Sequence, residues 1–253
     1  MLLSKNLEEL RDLGYSVLKQ VYSRDALEQL QRAIDVGLAS TLDPAERLEG
    51  QGSVVGGRNL LRLIPATRIC WKVDCLETLL MEVLGVSCGL VRGLYFDKPP
   101  LKSWALPWHQ DLTIAVQSHV GHSSSFTKPT VKAGVPHVEA PESLLQRMVT
   151  LRIHLDPMMD ENGPLRVIPA THRQKSMDRL LEAEARTIHV DAGDVFVMRP
   201  LLVHSSLPSH PETNLHRRIL HLEFAADPRL GDGFAWHDFV PLRGEGHGRL
   251  IRE

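Results

Sequence analysis

Apolar residues in the first hundred positions recur at helical spacing. One run repeats every three or four residues and would form a single apolar helix face: Leu27, Leu30, Ile34 and Leu38. Ser23 precedes this run and can cap the helix, with Asp25 near the positive end of its dipole. Similar patterns predict further elements: helices at 7–13 and 73–84, a strand at 14–18 and a polar, glycine-rich loop at 40–58. Residues 1–89 are therefore predicted to form a mostly helical layer.

Beyond residue 90 the pattern changes to short stretches in which apolar and polar positions alternate. The clearest stretch is 148–155, where every second residue from Val149 to Leu155 is aliphatic. Strands are predicted at 90–96, 108–116, 148–155, 165–168, 187–190, 195–203 and 217–224. The sequence Asp-Glu-Asn-Gly at 160–163 is typical of a hairpin turn, because Asn-Gly readily adopts positive φ. Short strands separated by Gly, Pro and Asn favour a sandwich or barrel at 90–226.

Residues 117–146 do not follow the strand pattern, since they are rich in serine, proline and glycine. A long irregular segment inside a compact domain is usually functional or a plain surface loop. Because this one begins directly after the strand at 108–116, we expect a lid over a site. A surface loop without a role is the alternative.

Composition adds limits to this picture. The 253 residues, 43% hydrophobic and 24% charged, fit one globular domain with a C-terminal tail at 227–253. A net charge of -2 predicts neither a nucleic-acid partner nor an anionic membrane surface. The N-terminus becomes charged too early for a signal peptide, and no run reaches the roughly 18 apolar residues of a membrane span. Three cysteines without CxxC spacing indicate reduced thiols, so we expect a cytoplasmic protein; the oligomeric state is not predicted.

Two histidines and an aspartate carry the candidate chemistry. His109 and Asp111 are two residues apart, and on a strand such residues point to the same side. With His204 from a second strand they match the facial triad that holds iron(II) on one side and leaves the other side open. The alternative is that Asp111 caps a turn and His204 is a hydrogen-bonded core residue.

An arginine strand follows His204 along the chain. An iron(II) site that activates oxygen needs a two-electron donor such as 2-oxoglutarate, whose far carboxylate suits a guanidinium fork. Arg217 and Arg218 are neighbours, so only one can point inward. Alternation favours Arg217, because the stripe that contains Arg218 is the more apolar one and suits packing between layers. A surface salt bridge is the alternative.

Several segments together resemble the phytanoyl-CoA dioxygenase family of iron(II)/2-oxoglutarate oxygenases. The matching segments are Lys98-Pro99-Pro100, His109-Gln110-Asp111-Leu112, 161–172 (with Ala170 where glycine is usual), Gly193-Asp194-Val195-Phe196, 200–206 and Glu223-Phe224-Ala225. Their order and spacing hold from about Gly14 to Ala226.

This resemblance implies a mainly β fold with flanking helices, a double-stranded β-helix (jelly roll, cupin-like). It implies that His109, Asp111 and His204 bind iron(II), and that Arg217 and Ser206 hold the 2-oxoglutarate carboxylate. Oxygen would be the second co-substrate. The presence of Asp111 favours hydroxylation or a related C–H oxidation, because halogenase relatives lose this carboxylate.

Arg152 departs from the family, whose prototype has an aromatic residue there. It could bind an acidic substrate or share the 2-oxoglutarate, or it could lie on a solvated face with Thr150 and His154. Substrate-pocket candidates are Trp104, Gln110, Lys132 and His137. We expect a small polar or carboxylated metabolite, with hydroxylation, desaturation, cyclisation and epimerisation all open. A cupin-type metal enzyme without 2-oxoglutarate and a catalytically silent metabolite-binding barrel are the alternative functions.

Overall fold

The computed structural model describes residues 2–50, 53–100, 104–177 and 182–243. Its helices are α1 (Leu2–Leu13), α2 (Arg24–Ser40), α3 (Leu60–Leu63), α4 (Asp74–Leu84) and α5 (Glu142–Leu145). Its strands are β1 (Tyr15–Leu18), β2 (Arg47–Gly50), β3 (Ser53–Gly57), β4 (Gly89–Lys98), β5 (Leu106–His109), β6 (Thr113–Ala115), β7 (Thr127–Lys132), β8 (Val135–Glu139), β9 (Met148–His154), β10 (Leu165–Val167), β11 (Arg186–Ile188), β12 (Val195–Met198), β13 (His204–Ser206), β14 (Arg217–Ala225) and β15 (Val240–Pro241).

Two antiparallel sheets form the centre of the molecule. The larger has the order β1-β12-β9-β14-β4-β3-β2, with β15 paired to β4, and the smaller has the order β11-β10-β13-β5. Apolar side chains of β12 pack against those of β10 and β11, so the sheets face each other at one end. The prediction of a mainly β jelly roll with flanking helices is confirmed.

The helices cover the outer face of the larger sheet. The four aliphatic residues predicted on one helix face are all buried there, against Leu220, Leu222 and Phe224 of β14. Each buried side chain of this size contributes about 1.5–3 kcal/mol. The predicted cap is present, because Ser23 Oγ accepts a hydrogen bond from the N–H of Ala26. This packing leaves the inward face of β4, β9 and β14 free to line a chamber.

The predicted loop at 40–58 is wrong, since most of its second half is a β2–β3 hairpin joined to β4. Gly56 pairs with Phe96, and a Cβ at Gly56 would lie only 2.7 Å from the carbonyl oxygen of Tyr95. The glycines therefore permit close strand contact and do not mark a loop.

The prediction that residues 117–146 are irregular is also wrong, because this segment contains regular secondary structure. The segment contains β7, β8 and α5, and β6, β8 and β7 form a third antiparallel sheet. Pro129 lies on β7, an edge strand, where a missing N–H is tolerated. Ala133 and Gly134 both have positive φ, which is the geometry of a tight two-residue hairpin turn.

Two strands were predicted too long, because the chain changes sheet inside them. The first ends at His109 and resumes at Thr113, and the second ends at Met198, before His204 begins β13. The predicted hairpin turn at 160–163 is a single 3-10 turn over Asp160–Asn162, followed by Gly163 with φ of 72°.

The expectation for the cysteines holds, since all three are free thiols. Across the described ranges, none of the helices has both the length and the apolar character needed to cross a bilayer.

Candidate active site

His109 and His204 face each other across two paired strands. They are register partners on β5 and β13, and their ring centroids are 4.2 Å apart. Asp111 lies just beyond β5, where its own N–H donates to the carbonyl of Pro200 at 2.9 Å. One ligand atom from each of the three side chains lies within 4.8 Å of the others. The predicted triad therefore converges, although a turn and not a continuous strand positions Asp111.

The backbone orients both imidazole rings toward the triad centre. Nδ1 of His109 lies 2.8 Å from the carbonyl oxygen of Pro107, and Nδ1 of His204 lies 2.8 Å from that of Leu202. A carbonyl only accepts, so each Nδ1 carries the hydrogen and each Nε2 presents a lone pair. The Nε2 atoms lie 3.9 and 3.7 Å from the Asp111 oxygens, too far for hydrogen bonds. This donor set fits a divalent iron ion between the three side chains.

The protonation states also suit a cation. Burial lowers the pKa of His204 to about 4, so its imidazole is neutral at neutral pH. Removal from water would raise the pKa of Asp111, but the nearby His204, His221, His109 and Arg152 hold it below its usual value. Oδ2 of Asp111 is buried and accepts no hydrogen bond from any described residue. Metal binding therefore requires no proton release from these two ligands.

Three buried basic side chains lie at one end of the same chamber, and we call Lys98, Arg152 and Arg217 the inner cation cluster. Arg152 and Arg217 line the chamber, and Lys98 lies directly behind Ser206. Arg217 is 4% exposed and Arg152 is 7% exposed, while Lys98 is fully buried. Lys98 donates to Ser206 Oγ at 3.0 Å and Arg217 to the carbonyl of Gly163 at 2.7 Å. Within the described ranges, none of the three cations forms an ion pair.

Burial and mutual repulsion both disfavour these charges. The pKa of Lys98 falls to about 6, through burial first and then through Arg217 and Arg152. Burial and Arg152 lower the pKa of Arg217 to about 9, and burial lowers that of Arg152 to about 10. Removing a charge from water without a partner is costly, so the inner cluster fits a small molecule with carboxylate groups.

The Phytanoyl-CoA dioxygenase (PhyH) family matches residues 10–219. The chain belongs to this family of iron(II)- and 2-oxoglutarate-dependent oxygenases. A comparison with curated proteins found no match.

Solved structures share the fold of this PhyH-family enzyme at low sequence identity. EctD from S. alaskensis with bound Fe has a TM-score of 0.68 and 19% identity, covering 88% of this chain and 76% of that chain. AviO1 from Streptomyces viridochromogenes has a TM-score of 0.61 and 19% identity, covering 88% and 94%. SnoK, an alpha ketoglutarate dependent carbocyclase from nogalamycin biosynthesis, has a TM-score of 0.63 and 17% identity, covering 95% and 93%.

Alternation along β14 places the two arginines of this oxygenase as predicted. Arg217 points into the chamber, whereas Arg218 points to the opposite face and donates to both carboxylate oxygens of Asp156 at 2.7 Å. The solvated face proposed for Thr150, Arg152 and His154 is wrong. All three are buried because β9 lies between β12 and β14.

The chamber has a volume of about 530 Å³, within the range of small-molecule sites. Trp104 and Lys132 line it, as predicted, together with Ser206. Gln110 does not line the chamber. Its side-chain amide instead donates hydrogen bonds to the backbone carbonyls of Gln174 and Leu201 and so connects the segments that contain these residues. His137 lies in a smaller adjoining cavity, where its Nδ1 is 2.9 Å from the carbonyl oxygen of Val135.

Sequence reasoning missed several polar side chains of the chamber. They are Arg58, Arg92, Thr113, His221 and Glu223, with Lys98 directly behind Ser206. Strand alternation could have identified three of them. Counting back in twos from Lys98 gives Arg92, and counting forward from Arg217 gives His221 and Glu223.

Proposed function

We propose that this oxygenase binds iron(II) through His109, Asp111 and His204 and hydroxylates a C–H bond of a small polar or carboxylated metabolite. We also propose that 2-oxoglutarate binds at the inner cation cluster. The supporting observation is that an open three-ligand set shares one chamber with two buried guanidinium groups, Arg152 and Arg217, that have no ion-pair partner among the described residues. A metal site alone would not require such charges.

Bound iron and 2-oxoglutarate would supply the oxidising chemistry, with oxygen consumed and succinate and carbon dioxide released. The protein's part is to bind and orient. Arg217 offers a guanidinium fork to the far carboxylate, with Lys98 as a second cation. Ser206 accepts a hydrogen bond from Lys98, which leaves its own O–H free to donate to the same carboxylate.

Arg152 lies on β9 and lines the same chamber as Arg217 and the three metal-ligand candidates. It pairs across the strands with His221, and Asp111 favours its charged form. We assign it to the co-substrate, because its guanidinium adds positive charge beside the metal ligands. The apolar side chains of Leu94, Phe96 and Trp104 line the same chamber and would exclude water from the reacting centre.

Anaerobic titration of the purified protein with iron(II) and 2-oxoglutarate tests this proposal. The visible charge-transfer band of the chelate should form in the wild type and be lost in Arg217→Ala. Arg218→Ala is the matched control, since the same side chain is removed one residue away on the opposite face. If iron binds and no band forms in the wild type, the protein is a metal enzyme that does not use 2-oxoglutarate. An unchanged band in Arg217→Ala would contradict the inner-cluster assignment.

A further inference from the structure

The end of the chamber opposite the inner cluster carries a second group of cations. We call Arg58, Arg92 and Lys132 the outer cation cluster. They come from three elements, since Arg58 follows β3, Arg92 lies on β4 and Lys132 ends β7, and all three line the chamber of the triad. Burial and then the neighbouring cations lower the pKa of Lys132, and burial and then Arg92 lower that of Arg58. The three side chains therefore share one electrostatic environment.

The carboxylate of Glu223 contacts this cluster, and it is already engaged. Oε1 of Glu223 lies 3.2 Å from a guanidinium nitrogen of Arg92 and 3.3 Å from Nε2 of His221. Among the described residues, Lys132 Nζ donates to the hydroxyl of Thr113 alone, at 3.3 Å. The guanidinium of Arg58 has no hydrogen-bond or ion-pair partner within the described part of the chain. Arg58 and Lys132 in this half-buried cluster therefore form no direct ion pair with a described carboxylate, although Glu223 and Asp111 lie near enough to favour the charge of Lys132.

Strand register separates the outer cluster from the inner one. On β4 and β14 the opposed pairs are Lys98 with Arg217 at one end and Arg92 with Glu223 at the other. Six residues separate the ends, which is roughly 20 Å along a strand. A five-carbon dicarboxylate is much shorter than this, so 2-oxoglutarate at the inner cluster leaves the outer charges uncompensated.

Apolar side chains line the chamber between and around the two clusters. They are Leu48, Val55, Leu94, Phe96, Trp104, Leu106 and Leu165. A ligand bound there would therefore contact hydrocarbon surface along its body and cations at its outer end.

The geometry points to a substrate that has an apolar body and one oxyanion group, a carboxylate, phosphate or sulfate, bound by Arg58, Arg92 and Lys132. This inference rests on the proposed function, because it assumes that the inner cluster holds the co-substrate. Two guanidinium forks and an ammonium are suited to an oxyanion with several acceptor oxygens. The anchored group would fix which C–H bond faces the metal ligands.

Isothermal titration of the anaerobic protein, loaded with iron(II) and with one equivalent of 2-oxoglutarate to fill the inner site, tests this inference. The probes share one alkyl chain: octanoate, octyl phosphate, octyl sulfate and the neutral octanamide. At least one anionic probe should bind about tenfold or more tightly than octanamide. Comparison of the three anionic probes then identifies the preferred oxyanion. Arg58→Gln and Lys132→Gln should each weaken that binding about 10- to 100-fold.

Two variants serve as controls. Lys128→Gln removes a charge from the same strand as Lys132, but Lys128 pairs with Glu139, which keeps its second partner Lys175. This variant should bind the probe like the wild type. Arg58→Lys retains a charge and should recover most of the binding lost in Arg58→Gln. The charge-transfer band, recorded on every sample, checks that the variants are folded around an intact inner site.

The proposal is overturned if octanamide binds as tightly as the anions, if none of the probes binds, or if the outer-cluster variants bind them unchanged. These outcomes differ from failure of the proposed function, which would appear as a missing band in the wild type. Anion binding that depends on Arg58 and Lys132 in metal-free protein would then still support the outer site.

Discussion

The two ends of the chamber contrast in how they are built. The inner cluster is buried and comes from β4, β9 and β14, which lie side by side in the larger sheet. The outer cluster is half-buried, and Arg58 and Lys132 come from the two hairpins added at the sheet's edge and beyond it. Side chains on packed strands are held more rigidly than those on peripheral hairpins. The contrast indicates that the proposed co-substrate site is fixed by the core, while the proposed substrate end can vary without disturbing it.

The largest expected effect comes from removing a ligand of the proposed metal site, on which reactions at either end of the chamber depend. His109→Ala or Asp111→Ala should abolish turnover, because two ligands cannot hold the ion on one face. Neither residue belongs to an apolar cluster of the core, so the fold should persist. Succinate production measures the first effect and thermal unfolding the second. Full activity in either variant would exclude the triad.

Lys98→Met should affect the inner end alone. We expect 2-oxoglutarate affinity to fall about 10- to 100-fold, since one charge-assisted hydrogen bond is lost. Binding of an anionic alkyl probe at the outer cluster should not change. Calorimetric titration of each ligand separates the two sites, and equal losses for both ligands would contradict their independence.

The lowered pKa of Lys98 predicts a proton effect at the inner end only. Without an anion its pKa is about 6, so the amine is neutral at pH 7.5, and a bound carboxylate raises that pKa. Binding of 2-oxoglutarate should then take up as much as about one proton. Titrations in buffers of different ionisation enthalpy measure this uptake, which Lys98→Met should abolish.

The same group makes stability depend on pH in the free protein. Between about pH 6 and 10 the unfolded chain binds the Lys98 proton and the folded chain does not. The Lys98 contribution to stability should therefore increase as pH rises through this range. Thermal unfolding of the wild type and Lys98→Met gives the difference, and identical pH profiles would refute the lowered pKa.

The smallest expected effect on ligand binding comes from a change in β3, the strand that precedes Arg58. Gly56→Ala would place a Cβ against the Tyr95 carbonyl, so β3 must shift, at a cost of about 1–3 kcal/mol in the free energy of unfolding. Probe binding near Arg58 should weaken while 2-oxoglutarate affinity stays constant. Gly121→Ala is the control, because a Cβ there has nothing within 4 Å.

Local patterns predicted the inner end well and the outer end poorly. The spacing of His109 and Asp111, and the alternation that assigns Arg217 inward, are properties of single segments. Lys132 was predicted to border the pocket, but Arg58 and the hairpins that carry both residues were missed, because those hairpins depend on tertiary contacts. From the sequence alone, Gly56 predicts a loop, because its close contact with the backbone of Tyr95 is visible only in the folded chain. Ala133-Gly134 is a weaker turn signal than Asn-Gly. Gln110 was misassigned because its partners, the carbonyls of Gln174 and Leu201, are distant in the chain.

The pairing of β4 with β14, which leaves a cation at both ends of one strand, has a kinetic consequence. Each end favours an oxyanion, and 2-oxoglutarate is itself an oxyanion. At high concentration a second molecule would occupy the outer cluster and compete with the substrate. Initial rates should then rise with 2-oxoglutarate, pass through a maximum and decline, and added substrate should move that maximum to higher concentration. This inhibition by excess co-substrate would be relieved in Arg58→Gln.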